Sequence, residues 1–142
     1  MAKFIGRNIR VKVGTQELTT NIASVEVTET VDEIETTAFG QAARSRIAGL
    51  KDASVTISFH QDYDANSVSA TLGSVFGGTA NVVILAGTST TQGTATSTAP
   101  LYTIPVLCSQ QTPVNGQVGD LTTFDVTWPA VGEISRSTSG TF

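Results

Sequence analysis

Apolar and polar residues alternate with a period of two at several places along this chain. In Asn8-Ile9-Arg10-Val11-Lys12-Val13 the odd positions are apolar and the even ones polar. Ala23-Ser24-Val25-Glu26-Val27-Thr28 and Val55-Thr56-Ile57-Ser58-Phe59-His60 repeat the pattern, as does Thr123-Phe124-Asp125-Val126-Thr127-Trp128. Successive side chains of a strand point to opposite faces, so each segment predicts a strand with one face buried. Residues 102–108 alternate at first, but Pro105 has no N–H, which places that strand at an edge or a bulge. Residues 81–86 are apolar on both faces and read as a more buried strand, and residues 132–136 as a short last one.

One segment changes period. Between Asn66 and Phe76, the residues Val68, Leu72, Val75 and Phe76 stand at i, i+4, i+7 and i+8, the spacing of one helical face. Asp64 or Asn66 is the expected cap and Gly77-Gly78 the expected stop. Gly73 weakens the helix by about 1 kcal/mol relative to alanine. The whole chain, residues 1–142, reads as one mainly β domain: a sandwich or barrel of about six to eight strands with a short flanking helix over 66–76. Residues 1–7 and 133–142 are expected to be extended segments outside the core. Residues 30–50 and 87–99 are expected to be long loops. The second of these is almost all Thr, Ser, Gly and Ala and reads as mobile and exposed.

Composition narrows the chemistry. The net charge of −4 lacks the clustered basic surface that grips nucleic acid. One cysteine, Cys108, and one histidine, His60, provide neither a disulfide framework nor a Cys/His metal cluster, and an unpaired cysteine fits a reducing compartment. No apolar run reaches the ~20 residues that span a membrane, and the first residues do not read as a signal peptide. Only 14% of residues are charged, whereas 23 are threonine. Such a chain keeps soluble through hydroxyls or hides its surface in an assembly.

The candidate sites all have ordinary structural readings. Ser58, His60 and Asp62 or Asp64 are local neighbours rather than a convergent triad, and no nucleophile elbow is present. Asp62, Asp64 and Asn66 alternate as in a calcium loop, but the turn glycine and the terminal glutamate are missing. Capping or turn formation accounts for them. Gly77-Gly78 and residues 116–120 read as turns, and Trp128 as core. No catalytic residue, cofactor or metal is assigned, and the chain is read as a non-enzyme.

The residues 30–50 are split by charge. Glu26, Glu29, Asp32, Glu33 and Glu35 hold five of the twelve acids, and Arg44, Arg46 and Lys51 follow. This stretch is expected to fold back on itself or to meet a second copy, acid to base.

The order of pieces resembles the major tail proteins of long, non-contractile phage tails. The resemblance is carried by residues 25–40, then Arg44-Ser45-Arg46-Ile47-Ala48-Gly49-Leu50-Lys51-Asp52, the strand 55–59, Gln61-Asp62-Tyr63-Asp64, Val118-Gly119-Asp120-Leu121 and Phe124-Asp125-Val126-Thr127-Trp128-Pro129. It implies a virion protein, assembled in the cytoplasm of a bacterial host. Six copies would form a ring, and rings would stack into a hollow tube that passes DNA during ejection. Strand faces from six subunits would join into one closed sheet around the lumen. The loop between the second and third strands would bridge rings. The implied partners are further copies, a tape-measure protein in the lumen, and terminator and tip proteins, with no membrane insertion and no cofactor. The family is similar to the inner tubes of contractile tails and to the ring protein of type VI secretion.

On that reading Ser24, Glu26, Thr28, Thr56, Ser58, Thr123, Asp125 and Thr127 line the lumen. They carry acids and hydroxyls but no Lys or Arg, so phosphates would slide past rather than bind. Asp32, Glu33, Glu35, Arg44, Arg46 and Lys51 become ring-to-ring contacts. Two other readings stay open. One is a carbohydrate- or peptide-binding sandwich using loop 87–99, which however lacks stacking aromatics. The other is a tube subunit of a contractile tail or secretion machine, or a virion decoration protein.

Overall fold

The computed structural model describes residues 9–86, 95–97 and 99–142. Two antiparallel sheets face each other. Strands β1 (Arg10–Val13), β2 (Gln16–Glu17), β5 (Thr79–Leu85), β6 (Leu101–Leu107) and β8 (Ser135–Ser137) form the first, in the order β2-β1-β5-β6-β8. Strands β3 (Ile22–Glu35), β4 (Arg46–His60) and β7 (Thr123–Pro129) form the second, in the order β3-β4-β7. The helix α1 (Val68–Val75) flanks them. The chain is thus mainly β, with a sandwich core.

The alternation explains the core. Val55, Ile57 and Phe59 of β4 and Phe124, Val126 and Trp128 of β7 turn inward and are buried. They meet Val11, Val13, Val82, Ile84, Ile104 and Val106 from the first sheet, with Val68 and Leu72 from α1. Phe59 and Phe124 stack with centroids 5.3 Å apart. Each such side chain contributes about 1.5–3 kcal/mol on burial. The indole N–H of Trp128 donates to the carbonyl of Gln110 at 2.9 Å, so its one polar atom is satisfied.

Pro105 fits its strand because of direction. The carbonyl of Pro105 accepts from the N–H of Val131 at 2.8 Å, so this residue points away from β5. Strand β8 pairs with β6 only as far as Thr103, so no ladder bond is lost. The helix begins after Ser67, and neither Asp64 nor Asn66 caps it by a side-chain bond. Instead the backbone carbonyl of Asp62 accepts from Ser69, and that of Asp64 from Ser67. Gly77, at φ 83°, turns the chain out of α1 as expected.

Three expectations need correction. Residues 30–50 are not a long loop: β3 and β4 run through them, and only 36–45 connect the two. Residues 133–142 do not lie outside the core. Strand β8 pairs with β6, and Phe142 packs on Leu85, Ala95 and Ala99, with the guanidinium of Arg10 4.6 Å above its ring and the Lys12 ammonium at 4.8 Å. In the stretch 87–99, Ala95 and Ala99 are buried rather than exposed. The expected extended segment 1–7, and residues 87–94 and 98 of that stretch, lie outside the described residues.

Cys108 is 1% exposed, and burial pushes its thiol pKa up. The thiolate is the reactive form. The folded chain is therefore expected to resist alkylation by iodoacetamide at neutral pH, and to label stoichiometrically in denaturant. Rapid labelling of the native protein would show that the sandwich opens at this corner.

Candidate assembly surfaces

The eight residues expected to share one face do so. Ser24 lies opposite Ser58, and Ser58 opposite Asp125. Glu26, Thr56 and Thr127 form the next row, and Thr28 pairs with Ser54. His60 and Thr123 close the far end. Ser54 and His60 belong to this face as well. Strict alternation along β4 contains the signal for Ser54, which an i, i+2 count from Thr56 finds.

The side chains are knitted together by two bonds across strands and one along β3. Thr56 and Thr127 share a hydrogen bond at 3.2 Å, the Ser58 hydroxyl donates to the Asp125 carboxylate, and the Thr28 hydroxyl donates to Glu26 at 3.4 Å. These rows hold two carboxylates and no Lys or Arg. Ser58, His60 and Asp62 do not assemble into a triad, because the Ser58 hydroxyl turns to Asp125. The Asp62 carboxylate is spent on protein donors: the N–H of Asp64, first, then Ser67 and Asn21 hold its pKa below the usual carboxylate range. Among the described residues no group of acids, His and Cys is placed to hold a metal ion.

Beyond β7, strands β3 and β4 continue as a two-stranded hairpin. Residues 46–53 of β4 precede its pairing with β7, so the hairpin projects roughly 25 Å at ~3.3 Å per residue. It exposes apolar side chains on both faces: Val31, Ile34 and Ile47 are half exposed, Leu50 is 81% exposed, and Phe39 at the tip is fully exposed. A lone two-stranded hairpin is marginal in water, and apolar groups without a core mark a surface that a partner covers.

A bulge shapes this hairpin. Val31 lies opposite Lys51 and Glu33 opposite Ala48, so β4 carries one extra residue at 49–50. Glycine suits this position, since a Cβ at residue 49 would crowd the Asp32 Cβ at 3.0 Å. The extra residue switches the faces of β4. Without it, Arg46 would share the parity of Thr56 and Ser58 and join the hydroxyl and acid face. With it, Arg46 turns to Glu33 at 3.8 Å. Arg44 reaches Glu35 at 3.9 Å and Lys51 reaches Glu133 at 3.2 Å. Arg44 and Arg46 therefore fold the charge-split stretch back on itself through exposed pairs, whereas Lys51 turns to Glu133 outside it. Asp32 neighbours Gly49 on the other side of the hairpin. The tightest pair lies elsewhere: Arg10 meets Glu17 at 2.7 Å, and that contact raises the arginine's pKa and lowers the carboxylate's.

Together these features define a β-sandwich with one hydroxyl-rich sheet face and a projecting hairpin. Its fold recurs in solved particles. It is similar to a chain in the virion of a native gene transfer agent particle (TM-score 0.69, 12% identity, 95% of this chain and 99% of that one covered). It is also similar to a chain in the tail of an empty gene transfer agent particle solved with C6 symmetry (TM-score 0.67, 10% identity, 95% and 99% covered). No family description and no curated protein matches the chain by sequence.

Proposed function

We propose that this chain is a structural virion protein, the tube subunit of a phage-type tail. Six copies close into a ring, and rings stack into a hollow tube through which DNA leaves the particle. The observation that carries this reading is the hairpin, a two-faced apolar arm with no core of its own.

In the proposed ring the sheet β3-β4-β7 turns its hydroxyl and acid face to the lumen. Closing a sheet on itself removes its edges, and heterologous contacts between copies accomplish this when the rotation closes. The hairpin contacts the adjacent ring, with Glu33, Glu35, Arg44, Arg46 and the apolar tip in reach of another copy. The two solved chains named above come from gene transfer agent particles, one of them from a tail with C6 symmetry, which is in keeping with a ring of six. A tape-measure protein would occupy the lumen during assembly in the bacterial cytoplasm, and terminator and tip proteins would close the ends.

Negative-stain microscopy of the purified protein, with sedimentation across a concentration series, tests the proposal. Rings of six or tubes with a central channel are the expected outcome. A protein that stays monomeric at high concentration and binds glycans or peptides would overturn it.

A further inference from the structure

The two edges of the sheet β3-β4-β7 are not equivalent. In an antiparallel ladder, alternate residues direct their N–H and C=O groups to opposite neighbours. The N–H of Gln61 donates to the carbonyl of Thr122, and that of Ala130 to Ala53, so the even-numbered positions face β4. Thr123, Asp125 and Thr127 therefore face outward. Two of their groups are already taken. The N–H of Thr127 donates to the side-chain oxygen of Gln110 at 3.0 Å, and the side-chain amide of Asn115 donates to the carbonyl of Thr123 at 2.7 Å.

The segment that supplies these caps, residues 109–115, runs along β7 without joining its ladder. Among the described residues no backbone–backbone hydrogen bond links the two. Side chains tie the segment down. Trp128 donates to the carbonyl of Gln110, and Gln61 and Tyr63 both donate to that of Pro113, at 3.0 and 2.7 Å. Among the described residues, nothing pairs with the outer edge of β3. An open edge is a template for another strand, and a loop laid over an edge blocks it.

We propose that residues 109–115 form a strap that keeps the outer edge of β7 closed in the free subunit, and that this strap must lift before β3 of another copy can pair there to close the sheet of the proposed ring. A second β3 placed there would continue the hydroxyl and acid face without a break. Its backbone would replace the amides of Gln110 and Asn115, exchanging two hydrogen bonds for a ladder. The strap thus sets a threshold for side-by-side association. The inference rests on the tube reading for its partner and for the joining of sheets between copies; the strap itself rests on the contacts of residues 109–115.

Two variants test it by different routes. Gln110→Ala with Asn115→Ala removes the caps and keeps the backbone carbonyl that Trp128 uses. Gln61→Ala with Tyr63→Phe loosens the strap and leaves the caps in place. Sedimentation velocity and light scattering measure the concentration at which each variant self-associates, with Trp128 fluorescence confirming the fold. Both variants are expected to associate at a concentration at least about tenfold below that of the unaltered chain, the effect of one or two hydrogen bonds. Association at unchanged or higher concentration by folded variants overturns the strap, even where tubes form normally. Variants that associate more readily, but into assemblies without a ring or channel, support the strap and overturn the tube reading.

Discussion

Replacing Arg44 and Arg46 together by glutamate is expected to give a subunit that folds normally but builds no long tubes. The fold should be nearly indifferent. Both guanidiniums are exposed and stand 3.8–3.9 Å from Glu33 and Glu35, and exposed pairs of this kind contribute about 0–1 kcal/mol each. The sandwich is held by Val55, Ile57, Phe59 and Trp128, which lie beyond the bulge and touch neither arginine. Assembly multiplies small terms. If each copy in a ring of six loses ~1 kcal/mol of contact with the next ring, stacking weakens by roughly four orders of magnitude. The new glutamates would also lie beside Glu33 and Glu35, setting four like charges side by side. The expected result is an unchanged circular dichroism spectrum and a melting temperature within a few degrees of the original. In negative stain, isolated rings or short stacks should replace long tubes. Normal tubes from the double variant would remove the hairpin from ring stacking.

The part of this architecture that the sequence revealed is the part where one face is buried. Along 55–59 and 123–128, burial on one side forces strict alternation, so the strands, the core and the hydroxyl face could all be read from a period of two. Along 29–35 and 46–52 both faces meet solvent in a single subunit, and the alternation dissolves. Val31 is followed by Ile34 rather than by an apolar residue two further on. What remained as a signal was β-branching, in Thr28, Thr30, Val31, Ile34 and Thr36, which favours extended backbone. The bulge at Gly49 was equally silent, yet it decides that Arg46 faces Glu33 instead of the hydroxyl rows. Contacts between distant segments left no local trace at all. Gln110 and Asn115 cap β7, and Phe142 lies beneath Arg10 and Lys12, because of tertiary placement that no periodicity encodes. The charge split was legible as a pattern. Whether it closed within the chain or between copies was not.

The hydroxyl face gives the sharpest test of what the tube would carry. Replacing Glu26 and Asp125 by lysine is expected to leave tubes intact and to make them hold DNA. Asp125 would give up the hydrogen bond from Ser58, and Glu26 a long one from Thr28, a cost of about 1 kcal/mol each at exposed positions. The buried side of the sheet is untouched. In a ring of six the change would turn about twelve carboxylates into about twelve ammonium groups. Cations that neutralise phosphates release condensed counterions, so binding becomes steep in salt: six to ten contacts lose roughly 10³–10⁵ in affinity between 50 and 200 mM. Unaltered tubes should retain no DNA at either concentration, since carboxylates repel phosphates and hydroxyls hold them weakly. Variant tubes should retain DNA at 50 mM and release most of it at 200 mM. Nuclease digestion then locates the site. DNA held inside the channel is protected, whereas DNA bound to an outer surface is degraded. Salt-dependent retention with full nuclease sensitivity would place this face on the outside of the tube and refute its role as the lumen wall.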